Sequence, residues 1–373
     1  MLNERAGRET LAELVTSRSV LVCAGAGGVG KTSLAAALAL DAARRGRRAV
    51  VVTIDPARRL ADALGLEQLA DHPQPVTVPP ATSSGASSPG SLHALMLDPK
   101  VTFDELVARL AADPGQAERI LTNRFYRSIS AALSGTQEYM AAEKLYALHA
   151  SGRFDLIVVD TPPTRQALDF LDAPGQLDRF LNHPAYRLMT GTGGTVSRIA
   201  GKAGRGLLRS AARLVGSAAL DDAVEFFRAF EGLESGFHTR ALAVGELLAS
   251  AQTGFVVVSS ARPEPIAEAA YFLERLAAQD IAVGAIIANR MTPRFTELTT
   301  VELERIAEHH NDEGDAAFLA GLMELTATSE AEERSLAPLL DSQAAPMVRI
   351  SLLDRDVHDL DGLERLRRLA LGD

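Results

Sequence analysis

The sequence contains a single cysteine, Cys23. One cysteine excludes a disulfide within the chain and a CxxC metal site. The histidines do not show the HExxH spacing of zinc hydrolases. No apolar run reaches the roughly 18 residues that a membrane-spanning helix needs, so we expect no integral membrane segment. The first residues also lack the basic start and apolar stretch of a signal peptide, and together these absences predict a cytoplasmic protein.

Lysine is scarce as well, and occurs only at positions 31, 100, 144 and 202. Acidic residues outnumber basic ones by 48 to 38, which gives a formal net charge of -10. We therefore expect no general nucleic-acid binding, although a local basic patch remains compatible with this charge. Hydrophobic residues make up 47% of the 373 positions. That content is ample for the core of one large α/β domain or of two smaller ones.

A glycine-rich segment, Gly25-Ala26-Gly27-Gly28-Val29-Gly30-Lys31-Thr32, fits the phosphate-binding pattern GxxxxGK[ST]. An apolar run at 19–24 precedes it, and a run of strong helix formers at 33–40 follows it. Glycines let backbone N–H groups turn toward an anion, and the start of a helix adds partial positive charge. The alternative is a glycine turn that ends by chance in Lys-Thr, which the scarcity of lysine disfavours.

This motif, which we call the phosphate loop (residues 25–32), predicts the ligands and their contacts. We expect Lys31 to bind the β- and γ-phosphates of ATP and the Thr32 hydroxyl to ligate Mg²⁺. The residues expected to surround the nucleotide here are Gly25, Ala26, Gly27, Gly28, Val29, Gly30, Lys31, Thr32 and Ser33.

Continuous apolar, β-branched runs separated by helical stretches are typical of a parallel sheet covered on both faces. The runs lie at 19–24, 49–54, 92–97, 154–159, 255–259, 283–288 and 347–350. We therefore predict an α/β P-loop NTPase fold with a mostly parallel central sheet and an inserted α-helical subdomain. The predicted core is 1–172 with 251–373, including a helical segment at 101–150. The predicted insertion is 173–250, because a strand-free connection of that length implies a subdomain. A Pro, Ser and Gly-rich stretch at 73–91 indicates a flexible loop.

Two aspartates each follow a predicted strand, Asp55 after the second strand and Asp160 after the run at 154–159. A carboxylate at the end of a parallel strand faces the crevice where ligands bind. We expect Asp160 to hold Mg²⁺ through water, and Asp55 to orient or deprotonate the attacking water close to the metal. A helix N-cap is the alternative for either aspartate, since proline follows nearby.

An amide side chain ends another predicted strand, at Asn289. Its donor and acceptor together can pair with the edge of adenine. The NKxD pattern for guanine is absent, since Met291 and Thr292 follow Arg290. The sequence therefore favours ATP over GTP.

These residues, taken in order, resemble those of the arsenical-pump ATPases (ArsA) and the tail-anchored-protein targeting ATPases. Both belong to the P-loop class that includes the Min and Par ATPases and nitrogenase iron protein. The chain looks most like the actinobacterial ArsA-like subunits that occur as pairs of dissimilar paralogues. The matching pieces span nearly the whole chain and are Ala26–Thr32, Asp55–Ala57, Gly135–Glu138, Asp160–Thr164, Asn289 and Ser351–Val357.

The resemblance implies further roles. Asp55 would be the switch residue that activates water, and residues 160–170 would couple the nucleotide state to the shape of the protein. Asn289, Arg290 and Leu353 would contact adenine. Members of the family work as dimers that close on ATP and deliver a hydrophobic or anionic cargo.

Three departures from the family pattern are visible. Ala26 stands where most members carry a lysine that reaches across the dimer to the partner's phosphates. The arsenite-binding cysteines and the zinc-binding CxxC are absent, which argues against metalloid extrusion through thiolates. Ser351 and Asp354 replace prolines of the adenine loop, which weakens the assignment of adenine contacts there.

A basic stretch lies inside the predicted insertion. No acidic residue occurs between Asp178 and Asp221, whereas the last five basic residues of this stretch recur every three or four positions on one helix face. They are Arg198, Lys202, Arg205, Arg209 and Arg213. A helix of this kind suits an apolar segment, an anionic partner or a membrane surface. A core-facing helix with a solvated basic face is an equal alternative.

The sequence therefore predicts a Mg-ATP-dependent dimeric ATPase that uses ATP to switch a helical subdomain. Because Ala26 cannot supply the cross-subunit charge, we expect a heterodimer with a lysine-bearing paralogue. Arg58 or Arg165 could instead replace that charge. The alternative function is a nucleotide-binding regulatory subunit with little hydrolysis of its own. A Par/Min-type positioning ATPase is a third interpretation, which the large insertion disfavours.

Overall fold

The computed structural model describes residues 2–54, 59–78, 90–129, 137–162, 217–309, 313–342 and 345–372. The chain folds into two compact units. The first, which we call the sheet unit, comprises Met1–Met96, Ser151–Leu168 and Ala249–Asp373. The second, the helical unit, comprises Leu97–Ala150 and Asp169–Leu248.

The described strands of the sheet unit form one sheet in the order β3-β4-β2-β5-β1-β6-β7-β8. All neighbours pair in parallel except β3 with β4, which are antiparallel. This arrangement confirms the predicted mostly parallel α/β sheet. The strands are β1 (Val20–Gly25), β2 (Arg48–Thr53), β3 (Gln74–Val76), β4 (Ser91–Met96), β5 (Leu156–Asp160), β6 (Thr253–Ser259), β7 (Val283–Met291) and β8 (Met347–Ser351).

Helices surround and connect these strands. In chain order the described helices are α1 (Leu2–Ser17), α2 (Lys31–Arg44), α3 (Arg59–Ala63), α4 (Pro99–Leu110), α5 (Pro114–Thr122), α6 (Arg124–Ile129), α7 (Gln137–Ala150), α8 (Ser217–Phe230), α9 (Glu234–Ala249), α10 (Pro263–Ala277), α11 (Thr300–Glu308), α12 (Glu313–Ser335), α13 (Ala337–Asp341) and α14 (Leu360–Leu371).

The central strands are buried along their whole length, because both faces of a parallel sheet are covered. Leu21 and Cys23, two residues apart on β1, pack in one apolar cluster with α1, α2 and α14. This alternation is what the two-residue period of a strand produces. Helix α2 carries almost only alanine and leucine on its buried surface, so it sits close to the sheet. The phosphate loop precedes this buried helix directly.

The helical unit is held together by aromatic side chains. Phe103 of α4 stacks on Tyr126 of α6 with ring centroids 5.3 Å apart, and Tyr126 stacks on Phe226 of α8 at 6.0 Å. Phe230 contacts Phe237 of α9 at 5.1 Å. Such rings bury large apolar areas and favour stacked or edge contacts.

The sequence places 101–150 with the ATPase core, whereas in the structure the helices of this range fold with α8 and α9. The shared aromatic cluster is the physical reason, because α4 and α6 bury their rings against α8 and α9. The basic stretch predicted at 179–213 lies outside the described residues.

Candidate functional site

The phosphate loop connects the end of β1 to the start of α2, as its sequence context predicts. Gly25 has a φ of 156°, and a Cβ on it would lie 2.0 Å from the carbonyl oxygen of Val258. Gly28 and Gly30 have φ values of 77° and 94°, in the left-handed region that favours glycine. The loop therefore needs glycine at position 25 for space and at positions 28 and 30 for backbone conformation.

Side chains from the end of β7 hold the loop from one side. Asn289 donates from Nδ2 to the carbonyl oxygen of Val29 at 2.8 Å, and Arg290 donates from Nη1 to that of Gly28 at 2.9 Å. A Cβ on Gly30 would lie 2.4 Å from Nδ2 of Asn289. The sequence predicts contacts from Asn289 and Arg290 to adenine. In the structure both side chains donate hydrogen bonds to backbone carbonyl groups of the phosphate loop. No residue spacing in the sequence indicates these contacts.

Lys31 bends back over the loop. Its Nζ donates to the carbonyl oxygen of Ala26 at 2.8 Å, and the residue is buried. The side chain of Ala26 is buried too, in the same apolar cluster as α2. The Lys31 ammonium therefore lies against the phosphate loop, where it can donate a hydrogen bond to a phosphate oxygen.

Hydroxyl and carboxylate oxygens meet beside Lys31. Thr32 donates from Oγ1 to Oδ2 of Asp160 at 2.7 Å, and Thr53 donates from Oγ1 to the same oxygen at 3.0 Å. Asp160 is 1% exposed at the end of β5. A hydroxyl and a carboxylate are hard oxygen donors of the kind that Mg²⁺ prefers. Asp55, the other predicted metal residue, lies outside the described residues, and so does Arg58.

A cavity of about 590 Å³ opens over these groups. This volume is within the range of small-molecule and cofactor sites. The predicted site residues that line the cavity are Gly27, Gly28, Gly30, Lys31, Thr32, Ser33, Asp160, Asn289, Arg290 and Leu353. Gly25, Ala26 and Val29 are not among its lining residues, and the side chains of Ala26 and Val29 are buried.

Other lining residues were not singled out by sequence reasoning. Arg59 and Asp62 come from α3, His358 from the loop after β8, and Leu366 from α14. The loop after β8 is joined to β7 because the amide of Leu352 donates to the carbonyl oxygen of Met291 at 2.7 Å. Only the tertiary fold brings α14 to this cavity, so its leucine carries no recognisable signal in the sequence.

Cys23 lies on β1 beneath the site and is fully buried. Burial, reinforced by the nearby Asp160 carboxylate, raises the pKa of its thiol well above the usual range. Within the described residues, no group of three or more His, Cys, Asp or Glu side chains is arranged to hold a metal.

None of the helices that the structure describes is long and apolar enough to cross a membrane.

Known proteins similar to this chain include two kinds of ATPase. An arsenical pump-driving ATPase of Acidiphilium multivorum is 33% identical over 163 residues, which is 42% of this chain and 26% of that protein. An ATPase GET3 of Malassezia globosa is 28% identical over 174 residues, 46% of this chain and 48% of that protein. The chain thus spans half or less of the length of these curated relatives. Residues 18–311 match the anion-transporting ATPase family, to which this chain therefore belongs.

Proposed function

We propose that this protein hydrolyses ATP with the help of Mg²⁺. One observation carries the proposal: the phosphate loop, Lys31 and the Thr32–Asp160 pair all face one cavity of about 590 Å³. Membership of the anion-transporting ATPase family supports the same activity.

The phosphates would bind in the loop. Three of its carbonyl oxygens accept hydrogen bonds from side chains, at Ala26, Gly28 and Val29. With these carbonyls engaged by side-chain donors, backbone N–H groups of the loop can face an anion. Gly27 has no other atom within 4 Å of where a Cβ would stand, so the loop leaves open space for a ligand.

Mg²⁺ would be held by the Thr32 hydroxyl, with Asp160 binding through water. When bound there, Mg²⁺ would supply positive charge next to the phosphates. The 2.7 Å hydrogen bond from Thr32 to Asp160 holds the two oxygens side by side. Asp55 would orient the attacking water, and Lys31 would stabilise the negative charge on the transferred phosphoryl group.

The base would lie toward the ends of β7 and β8. Ser351, Leu352 and Leu353 line this part of the cavity, beside Asn289. Asn289 already donates through Nδ2 to Val29, so its side-chain oxygen is the group that would accept from the exocyclic amine of adenine. This supports ATP over GTP.

The proposal extends to assembly and cargo. The protein would act as a dimer whose helical unit changes shape with the nucleotide and handles a hydrophobic, membrane-protein or anionic cargo. GET3 and arsenical pump-driving ATPases among the relatives support this class of function. A heterodimer with a lysine-bearing paralogue is the form that we favour.

A second function is favoured by one residue. Ala26 has no charge to offer a partner, and its side chain is buried within the loop. A chain of this kind could bind nucleotide as a regulatory subunit and hydrolyse little by itself. The intact Thr32–Asp160 pair favours hydrolysis instead.

Three substitutions test the proposal. Lys31→Ala should weaken Mg-ATP binding by about a hundredfold, because it removes the buried ammonium from the phosphate site. Asp160→Asn should abolish the Mg²⁺ dependence of binding.

Asp55→Asn should retain binding but lose turnover, and unchanged turnover in the complex would favour the regulatory subunit.

Lys100→Ala is the matched control, since Lys100 is an exposed lysine of the helical unit that pairs with Asp104. Calorimetric titration with Mg-ATP and release of phosphate are the measurements. Wild-type affinity in Lys31→Ala would refute the nucleotide site.

A further inference from the structure

A buried group of charged side chains joins α14 to α2. Asp41 lies toward the C-terminal end of α2 and is 1% exposed among alanines and leucines. Its Oδ1 accepts a hydrogen bond from Nη1 of Arg367 on α14 at 3.1 Å, and its Oδ2 accepts one from Nε of Arg45 at 2.5 Å. A carboxylate at this depth is tolerated only when its charge is paired.

A second ion pair runs in the opposite direction between the same two helices. Glu364 of α14 lies 3.7 Å from the guanidinium of Arg44 on α2, and it accepts a hydrogen bond from Arg367 at 2.9 Å. Each helix thus contributes both an acid and a base. Charge pairs of this kind fix the register of two packed helices because a shift would bury unpaired charge.

Helix α14 and the segment before it also form part of the wall of the ligand cavity. The segment Ser351–His358, which runs directly into α14, lines the cavity, and Leu366 lines it from within the helix. Asp359 caps the helix by accepting from the amide of Gly362 at 2.7 Å. The cavity wall and Arg367 therefore belong to one continuous segment, while Asp41 belongs to the helix that starts at the phosphate loop.

We propose that Asp41 and Arg367 form a positioning pair that sets the distance between the phosphate loop and the cavity wall at Ser351–His358 and Leu366. A ligand that bridges the two needs a polyphosphate at one end and a planar base at the other. The pair therefore determines how much the base adds to the affinity, while the phosphates bind through the loop alone. This inference rests on the nucleotide site proposed above.

The test compares two ligands, Mg-ATP and Mg-tripolyphosphate, by calorimetric titration. Arg367→Met should weaken Mg-ATP binding by about tenfold, while tripolyphosphate affinity stays within about twofold of the wild type. Arg48→Met is the matched control. It breaks another ion pair of the sheet unit, Arg48–Asp155 at 2.6 Å, whose residues do not line the cavity. Both affinities should be unchanged there.

A second variant covers the case in which Arg367→Met does not fold, because it leaves the buried Asp41 with Arg45 as its remaining partner. The double variant Asp41→Ala/Arg367→Met removes both charges, which cores often tolerate. Like Arg367→Met, this double variant should lose affinity for Mg-ATP and keep its affinity for Mg-tripolyphosphate. Wild-type preference for Mg-ATP in this variant, or equal losses for both ligands, would overturn the positioning role. Failure of the wild type to bind either ligand would overturn the nucleotide site itself, and this inference with it.

Discussion

At the scale of single residues, the phosphate loop is shaped by side chains that bind its carbonyl groups. Lys31, Asn289 and Arg290 donate to three loop carbonyls, and two of these donors come from the distant strand β7. Arg290 adopts a φ of 61°, which is uncommon outside glycine and costs energy. The loop conformation is therefore stabilised by contacts that do not involve a ligand.

The first prediction contrasts two glycines of this loop. Gly30→Ala should lower the free energy of unfolding by about 1–3 kcal/mol, because a φ of 94° strains alanine and the new Cβ meets Asn289. Gly27→Ala is the control. Its Cβ would meet nothing within 4 Å, so stability should change by less than about 0.5 kcal/mol while Mg-ATP binding weakens.

Urea unfolding without nucleotide, followed by titration with Mg-ATP, separates the two effects. Equal stability of the two variants would show that Asn289 does not confine the loop.

The second prediction concerns Cys23. Its thiol is fully buried on β1, and burial raises its pKa, so the reactive thiolate forms only when the strand opens. Alkylation by iodoacetamide at pH 8 should run about a thousandfold slower than in the urea-unfolded chain. Mg-ATP should slow it further, since a bound ligand stabilises the folded state. Rapid alkylation of the native protein would contradict the buried position.

Site residues could be predicted from the sequence where a local pattern encodes them. Lys31, Thr32 and Asp160 follow strands at recognisable positions, and the structure brings all three to one cavity. The contacts of Asn289 and Arg290 with the loop could not be predicted, because they depend on how β7 pairs beside β6. Leu366 was missed for the same reason, since nothing local distinguishes it from other core leucines.

At the scale of elements, the parallel strands were predictable because each is a continuous apolar run. β3 was not, since Gln74–Val76 lies within a stretch that the sequence indicates as a flexible loop. Its antiparallel pairing with β4 supplies the backbone partners that a short polar segment cannot specify alone. The grouping of α4–α7 with α8 and α9 depends on aromatic contacts between residues far apart in sequence, which spacing does not reveal.

The third prediction concerns α14 and acid. Burial alone would raise the pKa of Glu364, but its hydrogen bond to Arg367 and the charges of Arg367 and Arg44 hold that pKa below its usual range. A depressed pKa means that Glu364 stabilises the fold fully above about pH 4.3, and that this contribution disappears as the pH falls through the folded-state pKa.

Glu364→Gln should therefore lower the free energy of unfolding by about 1 kcal/mol at pH 7, and should have no effect once the pH lies below the folded-state pKa of Glu364. Asp361→Asn is the control, an acid on the exposed surface of the same helix, and should change stability by less than about 0.5 kcal/mol. Urea unfolding across this pH range is the measurement. A constant difference between wild type and Glu364→Gln at all pH values would contradict the charge network.

At the scale of the whole molecule, the question is whether this chain can complete the proposed ATP hydrolysis alone or needs a different partner chain. In the proposed reaction Lys31 would supply one cation to the phosphates, whereas Ala26 has no charge to supply to a partner. Transition-state charge in phosphoryl transfer commonly needs a further cation, worth about a thousandfold or more in rate. In our proposal that cation comes from a paralogue.

The fourth prediction follows from this missing positive charge. ATP turnover per chain should stay low at every concentration of the purified protein, even where sedimentation shows self-association, because a homodimer of this chain lacks the lysine on both sides. Adding the lysine-bearing paralogue should raise turnover by about a thousandfold, and mutating that lysine to alanine should remove the gain. Asp55→Asn in this chain then reports whether its own site performs the hydrolysis within the pair. If the chain alone reaches the turnover of the reconstituted pair, the heterodimer is not needed and a residue of this chain supplies the missing positive charge. Loss of turnover in Arg58→Ala or in Arg165→Ala would then identify that residue.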